Sequence, residues 1–130
     1  MSAVVADTHA AIWYIVEPNK LSRPALLALD NAANSGFPIH LPSISLVEIC
    51  YLVEKRKLQP DVWDRVKQAL EDPGAALTSV ALDESIAVAL KQVSRDDVPD
   101  RIIAATALHL QLPLVSRDRK IQASAIQTIW

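Results

Sequence analysis

Along the chain, short apolar runs alternate with longer stretches in which apolar residues recur at helical spacing. Val4-Val5-Ala6 is closed by Asp7-Thr8 and followed by Ala10-Ala11-Ile12-Trp13-Tyr14-Ile15, which predicts a strand and then a helix. Pro18-Asn19 breaks that helix. Ser22 and Pro24 cap and open the next, which runs toward Gly36. Residues 38–41 read as a second strand, and residues 43–57 as a long helix with apolar positions at 46, 47, 49, 50, 52 and 53. A helix over 60–70 is stopped by Asp72-Pro73-Gly74. Residues 77–82 form a third strand, Asp83 caps a helix to about 93, and Ser94-Arg95-Asp96-Asp97 is a charged turn. A helix over 99–109 and strands over 112–116 and 126–129 complete the pattern. Such alternation specifies an α/β fold, with a mainly parallel central sheet of about five short strands flanked by helices.

Composition narrows the function. A chain of 130 residues, 51% apolar and 22% charged, is expected to form one domain over 1–130 rather than a disordered segment. No membrane span is expected: the charge-free run after Asp7, for one, ends at Glu17, short of the ~20 residues a bilayer needs. Met1-Ser2-Ala3 opens no basic, apolar leader, and the lone Cys50 suits a reducing compartment, so the expected location is the cytoplasm. Two glycines, Gly36 and Gly74, cannot build a glycine-rich phosphate loop. An aromatic content of 5% argues against a base-stacking platform, and a net charge of −2 against a nonspecific DNA coat. If four of the 15 acids are gathered in one pocket, however, the remainder of the chain is net basic.

Four acids stand where apolar side chains are expected: Asp7 ending the first strand, Glu48 within Ile44-Ser45-Leu46-Val47-Glu48-Ile49, Asp100 before Arg101-Ile102-Ile103, and Asp118 after Leu114-Val115-Ser116-Arg117. In a parallel sheet, ligands bind beyond the carboxyl ends of the strands. Asp7 and Asp118 follow strands at that edge, and Glu48 and Asp100 are expected in the first turns of helices that start from it. Taken singly, each has a plainer role. Asp7 caps a helix, Ser45-x-x-Glu48 matches a capping box, Asp97-x-x-Asp100 approximates one, and Asp118 suits a turn. Taken together they predict a pocket of carboxylates whose all-oxygen donors suit Mg²⁺ or Mn²⁺. By helix spacing His9 points away from Asp7 and is expected to pack; His109 faces elsewhere, and Trp13 and Tyr14 read as core by default, with an exposed groove for a partner segment as the alternative.

At these residues the chain resembles PIN-domain ribonucleases, in particular the toxin subunits of VapBC-type toxin–antitoxin pairs. The resemblance rests on Val5-Ala6-Asp7-Thr8-His9, Pro42-Ser43-Ile44-Ser45-Leu46-Val47-Glu48-Ile49, Asp97-Val98-Pro99-Asp100-Arg101-Ile102-Ile103-Ala104-Ala105 and Leu114-Val115-Ser116-Arg117-Asp118. It implies that Asp7, Glu48, Asp100 and Asp118 bind Mg²⁺ or Mn²⁺, that Ser116 supports them, and that the reaction is hydrolysis of RNA to 5′-phosphate and 3′-hydroxyl ends. It further implies a prokaryotic protein with a VapB-type antitoxin across its first helices, a homodimer, and a tRNA or ribosomal RNA substrate. The proline of the third motif is displaced by one position, which leaves Asp97 a supporting role at most. Arg101, Arg117, Arg119 and Lys120 flank the acids in sequence and are candidate contacts for the RNA backbone. Two other classes compete. Phosphoryl-transfer α/β domains want adjacent acids or Asp-x-Asp after the first strand, which Asp7-Thr8-His9 does not supply, and a silent binding module would not need all four acids.

Overall fold

The computed structural model describes residues 2–122 and 126–130. A five-stranded sheet, in the order β3-β2-β1-β4-β5, is made of β1 (Val4–Ala6), β2 (Ile39–Pro42), β3 (Leu77–Val80), β4 (Leu114–Val115) and β5 (Thr128–Ile129). All four pairings are parallel. Seven helices are described: α1 (Thr8–Val16), α2 (Arg23–Asn34), α3 (Ile44–Glu54), α4 (Pro60–Glu71), α5 (Glu84–Ala89), α6 (Val98–Leu110) and α7 (Arg119–Gln122). No described helix is long and apolar enough to cross a membrane.

Strand β1 is buried along its whole length, which is why Val4-Val5-Ala6 is an unbroken apolar run rather than an alternating one. Its side chains still alternate between the two faces. Val4 and Ala6 join Ala10, Ile12, Ala25, Leu29 and Val66 in the core beneath α1, α2 and α4. Val5 joins Ile103, Ala107 and Leu114 on the other face, beneath α6. Small residues let α6 lie close to the sheet: Ala104, Ala105 and Ala107 are completely buried.

Several boundaries differ from the expected ones for local reasons. Helix α3 ends at Glu54 rather than 57, because Arg56 turns the chain with a positive φ of 59°. Strand β4 is two residues long because residue 112 still belongs to the end of α6. Gln111 is left-handed there, and the Leu112 N–H bonds Ala107 O at 3.1 Å. The short α7 was not expected; a single apolar residue, Ile121, anchors it. The capping box of Ser45 and Glu48 is not formed. The α3 N-cap is Ser43, Ser45 is buried inside the helix, and Glu48 lies in its second turn rather than its first.

The chain leaves β1 toward β2 on one side and leaves β4 toward β5 on the other, so the connections diverge between β1 and β4. Loops leaving the carboxyl ends of these two strands open a crevice at that point.

Candidate active site

Asp7 and Asp118 rise from that crevice. The Asp7 N–H bonds Val115 O at 3.1 Å, which ties the end of β1 to the end of β4. Asp7 is also the N-cap of α1, its Oδ1 accepting from Ala10 N–H at 2.9 Å, so the capping and site readings of this residue hold together. Ser116 is completely buried. Its hydroxyl accepts from Asp118 N–H at 3.1 Å and hydrogen-bonds the Asp7 carboxylate, linking the two acids. Asp100 sits in the first turn of α6, where its N–H bonds the N-cap Asp97 at 3.1 Å.

Glu48 reaches the same place from α3. Thr8 Oγ1 lies in hydrogen-bond contact with Glu48 Oε1 and 2.9 Å from Ser45 Oγ. Thr8 has one hydroxyl proton, which goes to the carboxylate, so Ser45 donates to Thr8 and Thr8 to Glu48. The result is a cleft of about 370 Å³ lined by Asp7, Glu48, Asp97, Asp100 and Asp118 together with Thr8, His9 and Arg117. All four predicted acids and Asp97 therefore meet.

Their crowding is visible in their protonation. Burial pushes the Asp7 carboxyl up, against the hydrogen bonds from Ser116 and Ala10. Burial also raises Glu48, opposed by the Thr8 bond and reinforced by the nearby charge of Asp97. Asp100 is pushed up to about 7 by burial and by the proton it shares with Asp118, with the charges of Asp97 and Asp118 adding and that of Arg95 opposing. Burial would raise Asp118 as well. The hydrogen bonds from Arg95, Asp100 and the N–H groups of Lys120 and Ile121 outweigh it, and Asp118 is lowered.

Two residues near the acids were not anticipated in these places. The Arg95 Nη2 lies 2.8 Å from Asp100 Oδ2 and 2.5 Å from Asp118 Oδ2, in a turn that read only as a charged surface. His9 lines the cleft rather than pointing away; its ring leans on Trp13 at a centroid distance of 5.4 Å. Trp13 in turn touches Trp130 and lies 4.8 Å beneath the Arg117 guanidinium, so it braces the rim of the cleft. Of the predicted basic residues, Arg117 alone lines the cleft. Arg119 and Lys120 are exposed on α7. Arg101 turns away: its Nε and Nη2 donate to Val93 O at 3.0 Å and Leu90 O at 2.9 Å, closing the turn before α6.

The donors offered to a metal are mostly carboxylate oxygens, with the His9 ring at the same cleft, and such a set fits a hard divalent cation. As the side chains lie, the described residues include no group of three ligands gathered on one point, and Asp100 and Asp118 are engaged with Arg95. The chemistry of the donor set fits such an ion; the convergence is incomplete while the guanidinium is in place.

Comparison with known proteins agrees with this geometry. Residues 4–126 match the model of the PIN domain. Ribonuclease VapC22 of Mycobacterium tuberculosis (strain ATCC 25618 / H37Rv) is 30% identical over 132 residues, spanning 95% of this chain and 92% of the relative. Among solved structures, VapBC2 from Rickettsia felis bound to a promoter DNA fragment superposes with a TM-score of 0.73 at 16% identity, covering 97% of this chain and 96% of the other. A toxin–antitoxin complex from Klebsiella pneumoniae gives 0.64 at 24% identity, with 98% and 96% covered. The strand order, the acids at its switch point and the match over nearly the whole length lead to one assignment: the chain belongs to the PIN-domain family.

Proposed function

We propose that this protein is an endoribonuclease that depends on Mg²⁺ or Mn²⁺ and acts as the toxin of a prokaryotic toxin–antitoxin pair. The observation that carries the reading is the meeting of Asp7, Glu48, Asp100 and Asp118 in one cleft at the switch point of the sheet. The likeness to a ribonuclease over almost the whole chain supports it.

Asp7, Asp100 and Asp118, with Glu48, would hold the ion. What such an ion supplies is a more acidic water for in-line attack at phosphorus and positive charge for the phosphate oxygens. The chain itself supplies position. Ser116 fixes Asp7 relative to Asp118, and the Ser45–Thr8 relay fixes Glu48. Among the described residues Thr8 is the one hydroxyl side chain lining the cleft, and it is buried and donates to Glu48, so the nucleophile is water. Arg117 at the rim is placed to hold an RNA phosphate.

The antitoxin is a protein segment with an apolar face. Support for it lies on α3 and α4, where Val47 and Tyr51 are exposed, at 46% and 57%, beside Leu46 and Trp63. The homodimer is a further part of the proposal, checked by light scattering of the purified chain.

The test is induced expression in a bacterial host, comparing the wild type with Asp100→Asn while RNA 5′ ends are mapped. New 5′-phosphate ends at a few sites in tRNA or ribosomal RNA, present with the wild type alone, are expected. Growth arrest without new ends would favour RNA binding over cleavage.

A further inference from the structure

The proposed function gives no role to Arg95, which nonetheless bonds two of the acids that line the cleft. Its side chain is 12% exposed, and a single nitrogen, Nη2, serves both Asp100 Oδ2 and Asp118 Oδ2 at 2.8 and 2.5 Å. The Nε of the same guanidinium is buried with no hydrogen-bond partner. Arg101 provides the internal contrast. It has both Nε and Nη2 bonded to backbone carbonyls at 3.0 and 2.9 Å, the seating of a guanidinium built permanently into a fold. Arg95 is attached by its charge and at one corner only. It also sits between the 3₁₀ turn Leu90–Gln92 and α6, outside both, so its side chain can leave without unwinding a helix.

We propose that Arg95 is a tethered counter-ion for the metal site: it holds Asp100 and Asp118 together in the metal-free protein and must release their Oδ2 atoms before a divalent cation can bind. Arg95 then sets the metal affinity of the site by competing for it. The inference rests on the reading of Asp100 and Asp118 as metal ligands. The physical argument is competition. An oxygen bonded to a guanidinium at 2.5 Å can turn its other lone pair to a divalent ion only against the repulsion of the two cations across it, so the guanidinium and the ion compete for it. Each event of metal binding therefore includes the loss of two charge-assisted hydrogen bonds that lie in a partly desolvated cleft. A purely structural arginine makes the opposite prediction. If Arg95 served only to keep the two carboxylates in position for the ion, removing it would let them repel one another and would weaken metal binding.

Calorimetric titration of the metal-free full chain with Mn²⁺ separates the two. Arg95→Gln is expected to bind Mn²⁺ about tenfold more tightly than the wild type, to melt at a lower temperature in EDTA, and to gain more from saturating Mn²⁺. Equal or weaker binding by Arg95→Gln overturns the inference. Asp118→Asn is the control for the underlying reading. If the wild type binds Mn²⁺ and Asp118→Asn does not, the metal site stands whatever Arg95 does. If neither the wild type nor Arg95→Gln binds Mn²⁺, the metal reading and this inference fall together. A second readout needs no variant with an altered charge. In the wild type, Mg²⁺ should move the side-chain Nε–H resonance of Arg95, assigned by its absence in Arg95→Lys, while that of Arg101 stays in place. An Arg95 resonance unmoved at saturating Mg²⁺ contradicts release.

Discussion

The two halves of the acidic cleft hold their carboxylates by different means. On one side, Asp7 and Glu48 are fixed by neutral donors: the Ala10 N–H, the buried Ser116, and the relay from Ser45 through Thr8. On the other, Asp100 and Asp118 close on a guanidinium. Neutral donors place a carboxylate without cancelling its charge, so burial prevails and both Asp7 and Glu48 are pushed upward. A cation cancels charge. With Arg95 and two backbone N–H groups beside it, Asp118 is lowered, while Asp100 keeps the shared proton and rises to about 7. One half of the site is thus set by the fold whatever ion is present, and the other by a charge that an incoming ion replaces.

The largest effect is on activity, and it falls on a carboxylate of either half alike. Asp7→Asn and Asp100→Asn each remove a negative charge from the cleft, and each is expected to reduce RNA cleavage by about 10²–10³-fold or more, the scale of losing one group that stabilises the transition state. Without metal both variants should be as stable as the wild type or more so, because a repelling carboxylate has gone. Cleavage at the wild-type rate by either one breaks the site assignment.

The next effect is on stability against pH. Asp100 holds its proton up to about pH 7 in the folded chain, against 3.8 for a free side chain, so between these values the folded state binds more protons than the unfolded one. Stability therefore falls as pH rises across that window. The raised Asp7 and Glu48 act in the same direction, and the lowered Asp118 withdraws its contribution only as pH falls below about 4. In EDTA the protein should be more stable at pH 5 than at pH 7.5, by about 2 kcal/mol, with the difference reduced in Asp100→Asn. Melting curves at the two pH values check this, and a higher melting temperature at pH 7.5 would contradict the shared proton.

The same contrast explains what was legible in the sequence. Asp7 and Asp118 were readable because each ends a buried apolar strand, and a parallel sheet brings such ends to one edge. Glu48 was placed at the right edge but in the wrong turn: α3 starts at the αR residue Ser43, so the Ser45-x-x-Glu48 spacing lies inside the helix and caps nothing. The neutral half of the site left little trace, since Thr8 and Ser45 look like any small polar residues near helix starts. Arg95 left none. It meets Asp118 across 23 positions, and a cluster of Ser94-Arg95-Asp96-Asp97 reads locally as a solvated turn. His9 packs against Trp13 as expected but also lines the cleft, because helical spacing alone says which way a side chain leaves α1 and not how wide the neighbouring cleft is.

Breaking the relay that positions Glu48 should cost less than removing a carboxylate itself. Thr8→Val keeps the shape of a residue that is 3% exposed but leaves Glu48 without its donor and Ser45 without its acceptor. A loss of about 1–2 kcal/mol is expected, the usual cost of an unsatisfied buried hydrogen-bonding group, with cleavage lowered about tenfold. Thr8→Ser restores the hydroxyl and should recover most of both. A Thr8→Val protein with unchanged stability and activity would show that Glu48 does not need its relay.

The smallest expected effects concern the rim. Arg117 stands over Trp13 at 4.8 Å and lines the cleft, whereas Arg119 and Lys120 project from α7 outside it. An RNA phosphate held at the cleft meets Arg117 first, and the other two contribute through the longer-range field that salt screens. Arg117→Gln should raise KM by about 3- to 10-fold with kcat little changed, and reduce the slope of log affinity against log salt by about one. Arg119→Gln and Lys120→Gln should each change KM by less than about twofold at physiological salt, with the difference growing at low salt. Equal effects at all three positions would mean that the RNA tracks α7 rather than the aromatic brace of Trp13. In that case the rim would have to be redrawn around the helix, while the carboxylates beneath it keep their assignment.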